Sequence, residues 1–205
     1  MKCFRIHLIR HGLTEGNIKG QYIGITDLSL TTNSIIEIND LKNYGAYPSV
    51  EAVYTSPLKR CKETADIIYP EKQIIPVEEL KEYNFGEFEG KTANEIEDME
   101  EYRLWTANKI SAPPGGEDNR DFAIRICQGM NKVIIDMSQK GIYEAAVIMH
   151  GGAIMSFLAS CGFPQKNMLE WTTEFGKGYT ILVTPSLYAK SGIVEVIDTV
   201  PSLEK

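Results

Sequence analysis

The chain has no apolar run approaching the ~20 residues of a membrane-spanning helix, so no span is expected. Its first apolar stretch, Ile6 to Ile9, is short and has charged or polar neighbours, unlike a secretory leader. The four cysteines, Cys3, Cys61, Cys127 and Cys161, are widely spaced and form no Cys-x-x-Cys pair. Buried reduced thiols in a cytoplasmic protein fit that spacing better than disulfides or a zinc site. Positive charge is in short supply. Against 28 Asp and Glu stand 21 Lys and Arg, for a formal net charge of −7. That balance argues against nucleic acid or a membrane surface as partner. A small phosphate can still bind, given a local basic pocket. No repeat, low-complexity tract or linker divides the 205 residues, a length suited to one domain with a sizeable core.

What is present reads as alternating strands and helices. Cys3 to Ile9 is an apolar strand. Thr31 or Thr32 can cap a helix with Ile35, Ile38 and Leu41 on one face, ending at Gly45. Val50 to Thr55 reads as a strand, followed by Ser56-Pro57 as N-cap and first residue of a helix through Leu58, Cys61, Ala65 and Ile68. Arg60 then falls in that helix's first turn, where the dipole favours an anion. Gln73 to Val77 is a further strand, Leu80 to Gly90 a glycine-punctuated loop, and Thr92 to Asn108 an acidic helical region. Pro113-Pro114-Gly115-Gly116 precedes a long amphipathic helix, Asp118 to Gln139, with Phe122, Ile126, Met130 and Val133 on one stripe. Glu144 to Met149 is a buried strand leading into His150-Gly151-Gly152 and another helix. Gly178 to Thr184 and Gly192 to Asp198 alternate like paired edge strands.

Three strand-to-helix junctions carry the reactive groups. Arg10 and His11 follow the first strand, Arg60 the second, and His150 the run at Ala145 to Met149. In a mostly parallel sheet such junctions share one edge, where ligands bind. The third histidine, His7, lies inside the first strand. It stands about 13 Å along the strand from His11, a poor chelate, and His-Glu-x-x-His is absent, so a metal site is disfavoured. Two guanidinium groups, two imidazoles and a nearby carboxylate suit metal-free phosphoryl transfer. Arginines clamp the phosphoryl oxygens, a neutral imidazole attacks phosphorus, and a carboxylic acid protonates the departing alkoxide. Glu82, Glu87 and Glu89 rank equally for the last role on these grounds.

These residues also carry a resemblance. Arg10-His11-Gly12-Leu13-Thr14-Glu15-Gly16-Asn17, Ser56-Pro57-Leu58-Lys59-Arg60 with Thr64-Ala65, Leu80 to Gly90, and His150-Gly151-Gly152 appear in order. Together they resemble the signature blocks of the histidine phosphatase superfamily, phosphoglycerate mutase-like branch. The resemblance implies a three-layer α/β/α sandwich around a mostly parallel sheet, one domain over residues 1–205, and no cofactor. It implies His11 as nucleophile through a phosphohistidine. Arg10, Arg60 and His150 would hold phosphoryl oxygens, with Asn17, Gly12, Thr14 and Gly151 lining the phosphate pocket. It prefers Glu82 as proton donor and then as the base that activates water.

Within that superfamily the pattern is similar to bacterial alpha-ribazole phosphatases of cobalamin assembly. The region 85–117 is the expected substrate cap, in which Tyr102 and Trp105 either stack on a base or pack the cap. Mutases of the family usually carry His-Gly-Asn at the fourth block and are longer, so Gly152 favours hydrolysis. Three positions depart from the pattern: Asn33 replaces a usual glycine, Phe88 a common tryptophan, and Met155 a frequent arginine. The expected activity is metal-independent hydrolysis of a small phosphorylated metabolite, with alpha-ribazole phosphate as the specific candidate. A broad-specificity phosphatase and a phosphoglycerate mutase are the alternatives. A non-catalytic binding module is disfavoured because every core position is intact.

Overall fold

The structure, a computed structural model, describes residues 3–202. Strand β1 (Phe4–Arg10) leads through the short helix α1 (Glu15–Ile18) to α2 (Thr32–Asn43). Strand β2 (Ala52–Thr55), helix α3 (Lys59–Ile68) and strand β3 (Ile74–Pro76) follow. The chain then runs through α4 (Ala93–Ile96) and α5 (Glu100–Thr106) into α6 (Asn119–Lys140), β4 (Glu144–Met149) and α7 (Gly151–Cys161). It closes with β5 (Gly162–Phe163), β6 (Gly178–Val183), α8 (Pro185–Ser191) and β7 (Val194–Val200). The seven strands form one sheet in the order β3-β2-β4-β1-β6-β7-β5. β3, β2, β4 and β1 are mutually parallel, and β6 runs antiparallel to both its neighbours.

Alternation along β1 sends side chains to two cores. Phe4, Ile6 and Leu8 face α6 and α7, where they meet Phe122, Ile126, Met130 and Val133. Ile9 faces the other way, toward Ile38 of α2 and Cys61, Ala65 and Ile68 of α3. Helices therefore cover both faces of a mostly parallel sheet, in three layers. Each fully buried aliphatic side chain contributes about 1.5–3 kcal/mol. α6 is delimited as its sequence demands: Asp118 accepts the N–H groups of Arg120 and Asp121, and Gly141 ends it in the left-handed conformation.

Several sequence expectations need correction. The helix expected from Ser56-Pro57 begins at Lys59, with Leu58 as its N-cap; the Ser56 hydroxyl accepts the Leu58 N–H at 3.4 Å and lies 2.8 Å from His150 Nε2. Arg60 still falls in the first turn. Residues 92–108 form two short helices, not one, with Glu97 ending α4 and Met99 opening α5. Ile35 is exposed; Ser34 and Ile38 are the buried positions of α2. β6 and β7 do pair antiparallel, but α8 joins them, β6 lies against the central β1, and the two-residue β5 forms the edge. None of the four cysteines forms a disulfide among the described residues; Cys61 is buried, the other three only partly. Folding brings Cys127 and Cys161 together, with sulfurs 3.8 Å apart. Among the described residues, no helix is long and apolar enough to cross a membrane.

Candidate active site

His11 and His150 each follow a strand end. The His11 N–H bonds to the Met149 carbonyl at 2.9 Å, which carries the β1–β4 ladder one step past the sheet edge. The two imidazole rings lie 5.1 Å apart, at 66° to each other. His11 Nδ1 is 2.6 Å from the Gly12 carbonyl oxygen. A carbonyl only accepts, so Nδ1 carries the proton and Nε2 keeps its lone pair. Burial, then the neighbouring Arg60 charge, holds the His11 pKa well below the usual histidine value. His150 is depressed for the same two reasons in the same order. Both rings are neutral near pH 7.

Arg60 reaches the same spot from the first turn of α3. It is fully buried, and its Nε donates to His11 Nε2 at 3.2 Å. Its other two nitrogens donate to the carbonyls of Thr26 at 2.7 Å and Gly24 at 2.6 Å. The same loop is gripped from its amide side. The Glu89 carboxylate accepts the N–H groups of Gly24, Ile25 and Thr26 and the Thr26 hydroxyl. Glu89, which ranked with Glu82 on sequence, is thereby committed to the loop. Arg10 donates from Nη1 to the Thr173 carbonyl at 2.6 Å and lies over the Phe175 ring at 3.7 Å. Its Nε is buried without a hydrogen-bond partner.

Glu82 completes the group. It is buried, Oε1 accepts the Tyr83 N–H and Oε2 the Gly152 N–H, both at 2.9 Å. Burial raises its pKa, although both N–H groups and Arg60 and Arg10 pull the other way. Gly152 permits this seat: a Cβ there would lie 2.6 Å from Glu82 Oε1. His150 Nε2 is 2.8 Å from the Ser56 hydroxyl. The Thr64 hydroxyl accepts the Gly12 N–H at 3.0 Å and donates to the Arg60 carbonyl at 2.6 Å, so it braces both segments.

The remaining sequence-selected positions are placed as follows. Gly12 has no room for a side chain; a Cβ would meet Ser34 Oγ at 2.5 Å and Ile38 Cδ1 at 2.6 Å. Thr14 and Asn17 cap α1 reciprocally, Asn17 Oδ1 accepting the Thr14 hydroxyl at 2.8 Å. Gly151 passes beneath Arg10, where a Cβ would lie 3.1 Å from the guanidinium carbon. His7 stays out of this cluster, with Nδ1 2.9 Å from the Thr180 hydroxyl and Nε2 3.2 Å from Glu144. Sequence reasoning missed the bracing roles of Thr64 and Ser56, although both lie in the second motif block. Thr173 and Phe175 carried no signal at all.

A cavity of about 750 Å³ opens from Arg10, Glu82 and Gly152. Tyr22, Tyr83, Phe85 and Trp105 form much of its wall. Tyr22 and Tyr102 share a hydroxyl–hydroxyl hydrogen bond of 2.8 Å, which ties the loop after β1 to α5. Among the described residues, no group of three or more His, Cys, Asp or Glu side chains is arranged to hold a metal ion.

Comparison with known proteins gives the family. The family profile "Histidine phosphatase superfamily (branch 1)" matches residues 6–184. The chain belongs to that superfamily and is a phosphatase of the histidine type. It is 28% identical over 180 residues to the adenosylcobalamin/alpha-ribazole phosphatase of Escherichia coli, covering 84% of this chain and 86% of that protein. It is 32% identical over 131 residues to a 2,3-bisphosphoglycerate-dependent phosphoglycerate mutase of Bartonella bacilliformis, covering 58% of this chain and 63% of the mutase. The crystal structure of an alpha-ribazole phosphatase from Shigella flexneri superposes with a TM-score of 0.80 at 24% identity, covering 97% of this chain and 96% of that one. Phosphoglycerate mutase from Bacillus anthracis superposes with a TM-score of 0.78 at 19% identity, covering 96% of this chain and 92% of that one, which establishes a phosphoglycerate mutase-like fold.

Proposed function

We propose that the protein hydrolyses a phosphomonoester through a phosphohistidine at His11, without a metal. The observation that carries this reading is the His11 ring itself: Nδ1 is spent on the Gly12 carbonyl, and Nε2 presents a lone pair beside Arg60. In the first step Nε2 attacks phosphorus and the bond from phosphorus to the alcohol oxygen breaks. Glu82 gives its proton to that departing oxygen. Arg10, Arg60 and His150 hold the phosphoryl oxygens, and the Arg60 contact with Nε2 passes to an incoming oxygen. Glu82, now ionised, takes a proton from water. The water oxygen attacks phosphorus, the phosphorus–nitrogen bond breaks, and phosphate leaves with the imidazole restored.

Alpha-ribazole phosphate is the substrate we favour. The Escherichia coli relative supports it, as does an aromatic wall suited to a flat base, with residues 85–117 acting as the cap. The mutase reading rests on the Bartonella relative. Phosphate release from a panel of phosphomonoesters, with chelator present and His11→Ala as control, tests both. Preference for alpha-ribazole phosphate, lost in the variant, is the expected result. Broad, slow hydrolysis would keep the phosphatase and discard that substrate. Interconversion of the two phosphoglycerates, stimulated by a bisphosphoglycerate, would favour the mutase. Strict metal dependence would overturn the mechanism.

A further inference from the structure

Charge is distributed unevenly along the cavity. Of the twenty residues that line it, only Arg10 and Glu82 have ionisable acidic or basic side chains, and both stand at the reacting end. Beyond them the walls are aromatic rings, aliphatic and methionine side chains, hydroxyls and neutral amides such as Asn108 and Asn119. Arg10 is assigned to the phosphoryl group, with Nη1 on the Thr173 carbonyl and the guanidinium over the Phe175 ring. Arg125, on the cavity-facing helix α6, is closed off by Glu117 at 2.7 Å and by the carbonyls of Glu79, Lys81 and Glu82. A second anion on the alcohol half of a substrate would therefore meet no cationic side chain on the wall beyond Arg10.

Resting on the phosphomonoesterase reading, we propose that this chamber selects phosphomonoesters whose alcohol is uncharged, that it rejects those bearing a carboxylate or a second phosphate, and that Met155 is where this selection is set. Met155 lies on α7 three residues after Gly152, so it stands over the same helix face as the reacting end. It lines the cavity and is only partly buried. Its one polar contact is a weak one, from the Thr172 hydroxyl to sulfur at 3.5 Å. A long cationic side chain at this point can lie along the wall and keep its head partly hydrated. That would give a carboxylate the partner it lacks.

The test compares two esters of like shape, phenyl phosphate and 4-carboxyphenyl phosphate, in the wild type and in Met155→Arg. The wild type is expected to favour the uncharged ester by roughly 100-fold in kcat/KM, mostly through KM. Met155→Arg is expected to narrow that ratio about tenfold or more, read as a ratio within one preparation. Met155→Lys, with a thermal melt on each variant, guards against misfolding. Equal kcat/KM for the two esters in the wild type would overturn the selection. An unchanged ratio in both folded variants would overturn the assignment to Met155. Absence of phosphate release from either ester in the wild type would overturn the underlying phosphatase mechanism, a result distinct from both.

Discussion

Glu82 Oε2 accepts the backbone N–H of Gly152 at 2.9 Å, so the proposed acid is seated on the first turn of the helix that follows His150. The seat depends on the missing side chain. Gly152→Asn places a Cβ 2.6 Å from Glu82 Oε1, closer than contact allows, and the carboxyl must shift. Steady-state kinetics should show kcat lowered by about 10²-fold or more, with the far-ultraviolet dichroism unchanged.

Glu82→Gln separates acid catalysis from binding. The raised pKa keeps wild-type Glu82 protonated above the usual carboxylate range, and alcohol release should decline as pH rises through that value. In the variant the single-turnover rate should fall about 10²–10⁴-fold, and that pH dependence should vanish. Retention of the alkaline decline would assign it to another group.

Arg60 is both a proposed phosphate ligand and a clamp on the carbonyls of Gly24 and Thr26. Arg60→Lys keeps the charge and loses the planar fork. Each buried acceptor left unpaired costs about 1–3 kcal/mol, and each kcal/mol lowers Tm by about 2–4 °C in a chain of this size. Calorimetry should find a melt several degrees lower, alongside weakened turnover. A variant with full activity and an unchanged melt would refute both roles.

Acid should destabilise the fold before the bulk of the carboxylates titrate. His7, His11 and His150 all have folded pKa values below 6.5, each chiefly through burial. As pH falls through 6.5 the unfolded chain takes up these protons and the folded chain does not. Stability is then lost by up to about 1.4 kcal/mol per pH unit for each ring. Glu82 acts in the opposite sense: its folded pKa exceeds 4.5, so between those values it favours the fold as pH drops. Three rings outweigh one carboxyl. The urea midpoint should be lower at pH 5.5 than at pH 7.5, and equal midpoints would contradict the assignment of buried neutral rings.

The parallel part of the sheet was legible because β4 is an unbroken apolar run and the α6 stripe keeps helical spacing. The meeting of Arg10, His11, Arg60 and His150 at one edge followed from strand-to-helix junctions in such a sheet. Ser56 was read as a helix cap alone; its hydroxyl accepts the Leu58 N–H just before the helix and also meets His150, which only the fold brings within reach. The break between α4 and α5 was hidden in a stretch uniformly rich in glutamate, where periodicity is weak. Glu82 and Glu89 could not be separated by chemistry. Their fates differ because one meets the Gly152 N–H and the other the amides of residues 24–26.

The two ends of the segment that carries α4 and α5 meet each other at its base. The Glu87 N–H bonds to the Pro114 carbonyl, and the Glu117 N–H to the Asn84 carbonyl, both at 2.9 Å. A segment whose two ends touch can be lengthened, shortened or traded for another without re-registering any strand of the sheet. The geometry thus divides inheritance within one polypeptide. The reacting centre can stay fixed while the segment above it varies, provided that a replacement keeps the Glu89 hold on residues 24–26.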